Sequence, residues 1–204
     1  MTILPVTYLG NTAWWSHLLN EECIIDIGEN WIKQSARNRC EIQTPNGVAT
    51  LSVNVCGRGE RIATRDVRID YSKRWQHQHL YALLSSYKKS PYYDYYVEAF
   101  EPFYTRRWEW LAEYNLELTR TLLRLMNVKM ELRVSESYVE ATPDDLDLRG
   151  KKEFLAASCN AAECPAYTQV FEDRMDFQPG LSVIDLFYCE GPYAVQLLRN
   201  SLPR

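Results

Sequence analysis

Three cationic side chains and an amide lie together in one short segment of the sequence, residues 32–42. Lys33, Arg37 and Arg39 fall within seven residues, and Asn38 separates the two arginines. In an extended segment, Arg37 and Arg39 point to one side and Asn38 points to the other. Two guanidinium groups on one side can hold a phosphate or a carboxylate through paired hydrogen bonds. The segment therefore predicts an anion-binding site, with Asn38 bracing the neighbouring loop.

The same segment has a second interpretation. Charged residues are mostly exposed, and a pair of arginines on an edge strand discourages that strand from pairing with another chain. The pattern alone does not separate an anion-binding site from a solvated edge.

Two residues are candidate bases, because an acid or an imidazole must take a proton from an attacking hydroxyl or amine. Asp26 follows a continuous apolar run, and His79 shares a predicted helix face with Trp75. A histidine on an apolar face is more often a structural residue, so both interpretations of His79 stay open.

Several other chemistries find no matching pattern. The chain has neither a P-loop motif nor a dinucleotide-binding G-x-G-x-x-G motif. Cys159 and Cys164 lack a nearby histidine, which favours free thiols over a zinc site. His77 and His79 are two residues apart and point to different faces of a helix. No metal site is predicted, and the sequence identifies no cofactor.

Composition limits the class of protein. The chain has 204 residues, of which 46% are hydrophobic, and a net charge of −4 without a long basic stretch. These values predict a single domain over residues 1–204 and no nucleic-acid partner. No run of eighteen apolar residues predicts a membrane span, and the first ten residues do not resemble a signal peptide. With scattered cysteines, this predicts a cytoplasmic protein with reduced thiols.

Hydrophobic patterns predict an α/β fold, with a Rossmann-like mixed sheet, a β-hairpin and a long helical segment in the middle. A strand, a short helix and a buried strand over residues 2–28 suggest a βαβ unit. Asn46-Gly47 predicts a hairpin within residues 39–55, and residues 61–71 and 129–139 are predicted strands. Ligands of such sheets bind beyond the carboxyl ends of the strands, which points to residues 5–11 and 26–39.

The helical segment is predicted over residues 74–126. One helix covers residues 74–89, Ser90-Pro91 starts the next, and a break is expected near Glu101-Pro102. Residues 85–96 combine five tyrosines with Lys88 and Lys89. This suits a packed helical corner, with sugar or anion binding as the alternative. Further on, residues 141–155 are predicted to be a loop and a short helix, and residues 179–192 an apolar turn or short helix.

These segments together resemble the WbqC-like family of bacterial proteins. The resemblance lies in "ILPVTYLGN", "IKQSARNRCEI" with "ATLSVNV", "KRWQHQHLYALLSSYKKSPYYDYY", "LLRLMNV" and "QVFEDRMDFQPGLSVIDLFYCEGP". The chain departs from longer members in having Leu4 before Pro5, where many begin with a histidine-glutamine-proline element. Residues 147–167 also replace a longer helix, strand and glycine-rich segment.

The resemblance implies a set of site residues. The positions that recur in the family are Lys33, Asn38, Arg39, Trp75, Tyr87, Pro91, Tyr92 and Asp185. A charged group among apolar segments needs a partner, so Arg39 and Asp185 are a plausible buried ion pair. The alternative is that Arg39 and Lys33 bind an anion together. Tyr87, Tyr92 and Asp185 are accordingly included among the predicted ligand-binding residues.

The resemblance implies a function in surface-polysaccharide or O-antigen biosynthesis, because family members occur in such gene clusters. The first hypothesis is a group transferase, with glycine or aminoacyl transfer as one suggestion, acting on an amino sugar or a nucleotide-linked sugar. A non-catalytic binding protein of the same pathway is the alternative. A nucleotide-dependent ligase or nucleotidyltransferase is a further one, for which the acids available to bind magnesium are Asp144, Asp145 and Asp147.

Overall fold

The computed structural model of the chain describes residues 1–56, 62–150, 154–155 and 164–201. In chain order its elements are β1 (Thr2–Pro5), α1 (Thr12–Asn20), β2 (Cys23–Asp26), β3 (Arg39–Thr44), β4 (Gly47–Ser52), α2 (Trp75–Tyr87), α3 (Tyr93–Thr105), α4 (Leu111–Leu125), β5 (Val134–Ser135), β6 (Leu146–Asp147), α5 (Val183–Glu190) and α6 (Ala194–Arg199). Short 3-10 turns lie at Thr64–Asp66 and Gly191–Tyr193.

Four strands form a parallel sheet in the order β5-β2-β1-β6. The first two strands are joined through α1, which confirms the predicted βαβ unit. Asn11 caps this helix by accepting a hydrogen bond from the Trp14 backbone at 3.0 Å. The Trp14 indole in turn donates to the Pro5 carbonyl at 3.0 Å, which ties α1 to the end of β1. All four strands therefore end at the same edge of the sheet.

The predicted hairpin is confirmed, and it forms a separate antiparallel sheet of β3 and β4. Thr44 is paired with Gly47, so the two turn residues are Pro45 and Asn46. Gly47 begins β4 with φ at 108°, a value that glycine adopts without strain.

The central helical segment is also confirmed, as three helices. The predicted break near Glu101-Pro102 is wrong, because Pro102 lies inside α3 and the helix continues to Thr105. The Arg106 amide still donates to the Pro102 carbonyl at 3.1 Å, so one turn continues beyond the proline.

The strand predictions beyond the hairpin differ from the structure. Only Val134–Ser135 of residues 129–139 pairs with β2, because the chain then turns across the end of that strand. From residue 62 on, the strand predicted at 61–71 is replaced by the turn Thr64–Asp66 and isolated bridges, and residue 61 lies outside the described residues. The strand β6 was not predicted. Residues 151–153, where a short helix was expected, also lie outside the described residues.

One cluster of buried apolar residues connects the sheet, the hairpin and the helices. The predicted short helix near residues 179–192 is present as α5, which is almost wholly buried. Among the described cysteines, Cys23, Cys40, Cys56 and Cys189 are free thiols, and Cys159 lies outside the described residues. No described helix is both long enough and apolar enough to cross a membrane.

Candidate functional site

A cavity of about 470 Å³ opens where the loops that follow the parallel strands meet. We call it the strand-end cavity; its lining residues are Glu29, Asn30, Ile32, Tyr138, Asp147, Arg149 and Gly150. The loops pack closely here: a Cβ atom added to Gly28 would lie only 2.4 Å from the Tyr138 backbone nitrogen. The carboxyl edge of a parallel sheet is the place where α/β proteins bind ligands.

Arg149 organises the carboxylates at this edge. It donates to Asp147 at 2.8 and 2.6 Å, and to Asp26 at 2.5 Å. Its guanidinium lies 4.6 Å from the centre of the Tyr138 ring. These bonds hold the pKa of Arg149 well above its ordinary value, and they lower the pKa of Asp147. Both side chains are therefore charged at neutral pH.

A second ion pair lies beside the first. Arg37, which is 1% exposed, binds both carboxylate oxygens of Glu29 at 2.7 and 2.5 Å. It also donates to the Arg149 backbone carbonyl at 2.9 Å. Burial raises the pKa of the Glu29 carboxyl, and the bonds from Arg37 oppose that increase. We call Asp26, Glu29, Arg37, Asp147 and Arg149 the strand-end cluster.

The expectation that Arg37 and Arg39 point the same way is wrong. Residues 33–38 form turns, and the extended segment begins only at Arg39. Strand alternation therefore does not apply to Arg37, whose side chain is turned into the protein to meet Glu29. Its predicted role in binding an anion stays a prediction, although its guanidinium already has a carboxylate partner.

Asp26, a predicted base, lies fully buried beneath the cavity. Its carboxylate accepts hydrogen bonds from the Gly28 and Val139 backbone amides at 2.8 and 3.1 Å, in addition to the Arg149 bond. The cavity is lined by its neighbours and not by Asp26 itself. The structure therefore gives Asp26 a part in fixing the loops.

Lys33, Asn38 and Arg39 have different surroundings. Lys33 lies in an exposed turn. Asn38 donates to the Val53 carbonyl at 3.1 Å, so it braces the chain after β4. The buried Nε of Arg39 has no hydrogen-bond partner among the described residues. The proposed Arg39–Asp185 ion pair does not form between these two described residues, because the Asp185 carboxylate is bound by tyrosines.

His79, the other predicted base, lies in an aromatic cluster. It is 4% exposed, and its Nδ1 is 2.9 Å from the Tyr8 hydroxyl, which also meets the Tyr104 hydroxyl at 3.0 Å. The Trp75 ring lies 5.1 Å away, centre to centre. Burial lowers the pKa of His79 to about 4, so the imidazole is neutral at neutral pH.

Tyr87 and Asp185 are brought together by the structure. The hydroxyls of Tyr87 and Tyr167 donate to the Asp185 carboxylate at 2.6 and 2.7 Å. Burial raises the pKa of this carboxyl, and the two hydroxyls oppose the increase. Tyr92 lies elsewhere, with its ring packed against the backbone of Gly191.

A second cavity, of about 870 Å³, adjoins these residues. We call it the helix-corner groove; it runs between residues 84–91 and 168–174, with Cys189 and Glu190 of α5 also lining it. Lys88 and Lys89 lie on its helical side, and Glu172 and Asp173 on the opposite side. The predicted corner at residues 85–96 is thus one side of a groove.

Sequence reasoning missed two of the five residues of the strand-end cluster, and it also missed Tyr138 of the cavity. Glu29, Tyr138 and Arg149 were not predicted, and Asp147 was considered only as a loop acid. Glu29 comes shortly after the buried strand β2 and directly after Gly28. Such a position lies at the carboxyl edge of the sheet, so this pattern could have identified Glu29 as a site residue. Arg149 carries no such signal, because its partner Asp26 is 123 residues away in the sequence.

The parallel sheet with its strand-end cavity places the protein in the α/β class. The model of the WbqC-like protein family matches residues 21–167. This is more than half of the chain, and the chain belongs to that family. Neither the curated proteins nor the solved structures contain a significant match to the sequence.

Proposed function

We propose that this member of the WbqC-like family acts in surface-glycan biosynthesis and binds a sugar in the strand-end cavity. The pathway is suggested by the gene clusters in which family members occur. The observation that carries the choice of ligand is the excess of hydrogen-bond acceptors in the cavity.

The donors of the strand-end cluster are already engaged. Arg149 uses four N–H groups on Asp147, Asp26 and the Val139 carbonyl, and one amino group contacts the Tyr138 hydroxyl at 3.5 Å. Arg37 likewise donates hydrogen bonds to the Glu29 carboxylate, the Ser35 hydroxyl and the Arg149 backbone carbonyl. Little donor capacity remains for a phosphate.

The acceptors are not exhausted. Each carboxylate oxygen has about two lone-pair sites. Glu29 Oε1 and Oε2 each accept one hydrogen bond, and both belong to a residue that lines the cavity. Asp147 Oδ2 likewise accepts one, and its side chain is 38% exposed. A ligand that donates hydrogen bonds, as a sugar hydroxyl does, matches this arrangement.

Tyr138 supplies the apolar part of the site. Tyr138 is 56% exposed, and the Arg149 guanidinium lies over one face of its ring. The C–H face of a sugar ring packs against such an exposed aromatic surface, and the hydroxyls then reach the acids around it.

The finer proposal is group transfer to the bound sugar. In this step the hydroxyl or amine of the sugar forms a bond to the acyl carbon of an activated donor, the donor's leaving group departs with its electron pair, and the Glu29 carboxylate takes the proton of the attacking group. Glu29 is our candidate for this base because it lines the cavity and burial raises its pKa. The second candidate function is a non-catalytic binding protein of the same pathway. It is favoured by the burial of Asp26 and His79, the predicted bases, among protein partners.

Saturation-transfer NMR with glucose, glucosamine and N-acetylglucosamine tests sugar binding in the cavity. We expect at least one sugar to bind the native chain, and Tyr138→Ala to abolish the signal. Tyr95→Ala, which removes an exposed tyrosine outside the cavity, is the matched control and should bind normally. Failure of all three sugars to bind, or undiminished binding by Tyr138→Ala, would contradict the proposal.

A further inference from the structure

The strand-end cluster contains more carboxylates than guanidinium groups. The carboxylates of Asp26, Glu29 and Asp147 face the guanidinium groups of Arg37 and Arg149. With all three carboxylates ionised, the cluster holds three negative charges and two positive charges and so has a net charge of −1, counted over these described residues. The charge is only partly screened, because four of the five side chains are buried.

We infer that the sugar in the strand-end cavity carries a free, protonated amine. The inference rests on the proposed function, since it identifies the class of sugar that the same cavity would hold. An ammonium group offers three N–H donors and one positive charge. It therefore matches both the spare acceptors of Glu29 and Asp147 and the unbalanced charge of the cluster.

The two acids come from different strands, which makes the recognition specific. Glu29 follows β2, and Asp147 is the last residue of β6. Both line the cavity, and each is held by an arginine that fixes the direction of its carboxylate. Each carboxylate is therefore preorganised as a hydrogen-bond acceptor for an ammonium group in the cavity.

An acylated amine does not fit this chemistry. Acylation removes the charge, leaves one N–H donor and adds a carbonyl acceptor. The carbonyl oxygen meets a cavity in which the donors of Arg149 and Arg37 are already engaged. A buried acceptor without a donor costs free energy on binding. The cavity therefore favours the free amine over its acylated form.

The same argument disfavours a nucleoside diphosphate. Its phosphates bring at least two negative charges and only acceptor oxygens to a cluster that is already negative. Among the two classes of sugar considered for this family, the structure thus favours the amino sugar over the nucleotide-linked sugar.

Calorimetric titration of the native chain with glucosamine, glucose and N-acetylglucosamine tests the inference, at about pH 6, where amines are protonated. We expect glucosamine to bind about tenfold or more tightly than either of the other sugars. Asp147→Asn should reduce that preference to within about twofold, because it removes one charge from the cavity. Asp144→Asn changes an exposed acid outside the cavity and should preserve the preference.

The outcomes separate the two proposals. If glucose binds as tightly as glucosamine, the amine inference is wrong and sugar binding stands. If none of the three sugars binds, the proposed function is wrong, and the inference falls with it. If glucosamine is preferred equally by the native chain, Asp147→Asn and Glu29→Gln, the amine is recognised outside the strand-end cavity and the inference is overturned.

Discussion

Tyr87 and Asp185 are 98 residues apart in the sequence and share a hydrogen bond of 2.6 Å in the interior. Tyr87 ends α2, and Asp185 lies in the first turn of α5. Tyr167 binds the other carboxylate oxygen, so one buried acid connects three parts of the chain. Asp185 has no cationic partner among the described residues, so the two tyrosine hydroxyls and the Gln43 backbone amide stabilise its carboxylate.

Tyr87→Phe should lower the free energy of unfolding by about 2 kcal/mol, because it removes a charge-assisted hydrogen bond from a buried carboxylate. Urea denaturation measures this change. Tyr188→Phe is the matched control: its buried hydroxyl has no partner among the described residues, so its loss should cost little. Equal effects of the two substitutions would show that the hydroxyl–carboxylate bond does not stabilise the fold.

His79 should make stability depend on pH. Its folded pKa of about 4 lies below the ordinary value of 6.5, so the unfolded chain binds the proton first as the pH falls. The free energy of unfolding should therefore decrease between about pH 6.5 and pH 4, by about 3 kcal/mol from this residue. His79→Gln should flatten this part of the profile, and His77→Gln, an exposed neighbour, should not. A native profile identical to that of His79→Gln would refute the assignment.

Arg37→Ala should reduce stability by about 3–5 kcal/mol, because it leaves Glu29 as a buried, unpaired carboxylate. The double substitution Arg37→Met with Glu29→Leu removes both charges and should recover most of that loss. Lys33→Ala, in the exposed turn, should change stability by less than about 0.5 kcal/mol. Chemical denaturation of the three variants measures these changes in the free energy of unfolding. If Arg37→Ala were as stable as the native chain, Arg37 would be available for the ligand role predicted from the sequence.

Gly28→Ala should weaken both the fold and the cavity. The added methyl carbon would lie 2.4 Å from the Ser137 carbonyl carbon and the Tyr138 nitrogen, so the loop must move. We expect a loss of about 1–3 kcal/mol in stability, together with weaker sugar binding as Tyr138 shifts. Unchanged sugar affinity in a destabilised Gly28→Ala variant would show that the position of Tyr138 does not determine binding.

Local patterns were sufficient for much of the fold. Hydrophobic periodicity located α2, and the Asn46-Gly47 pair located the hairpin, because both signals depend on neighbours in the sequence. The short strands β5 and β6 pair over only two residues each, too few for a period to be seen. Pro102 was misjudged, because tertiary packing tolerates one missing helical hydrogen bond.

The site was less predictable, and the reason is the distance in sequence between its members. Residues 5–11 and 26–39 were expected to bind a ligand beyond the carboxyl ends of the strands. Of these, Glu29, Asn30 and Ile32 line the strand-end cavity and none of residues 5–11 does, and ligand binding there stays a prediction. The direction of Arg37 depends on Glu29 and on the backbone of Arg149, 112 residues away. Likewise, the partner of Asp185 was expected to be Arg39, because sequence alone does not show that two tyrosine hydroxyls reach the carboxylate.

The most direct measurement is a map of amide chemical-shift changes on addition of glucosamine to the native chain. A bound amino sugar in the strand-end cavity should perturb the amides of Gly28, Tyr138 and Arg149, and leave Lys89 and Gln169 in the helix-corner groove unchanged. Changes confined to Lys89, Gln169 and their neighbours would contradict the account, because they would place the sugar in the groove and leave the strand-end cavity without its proposed ligand.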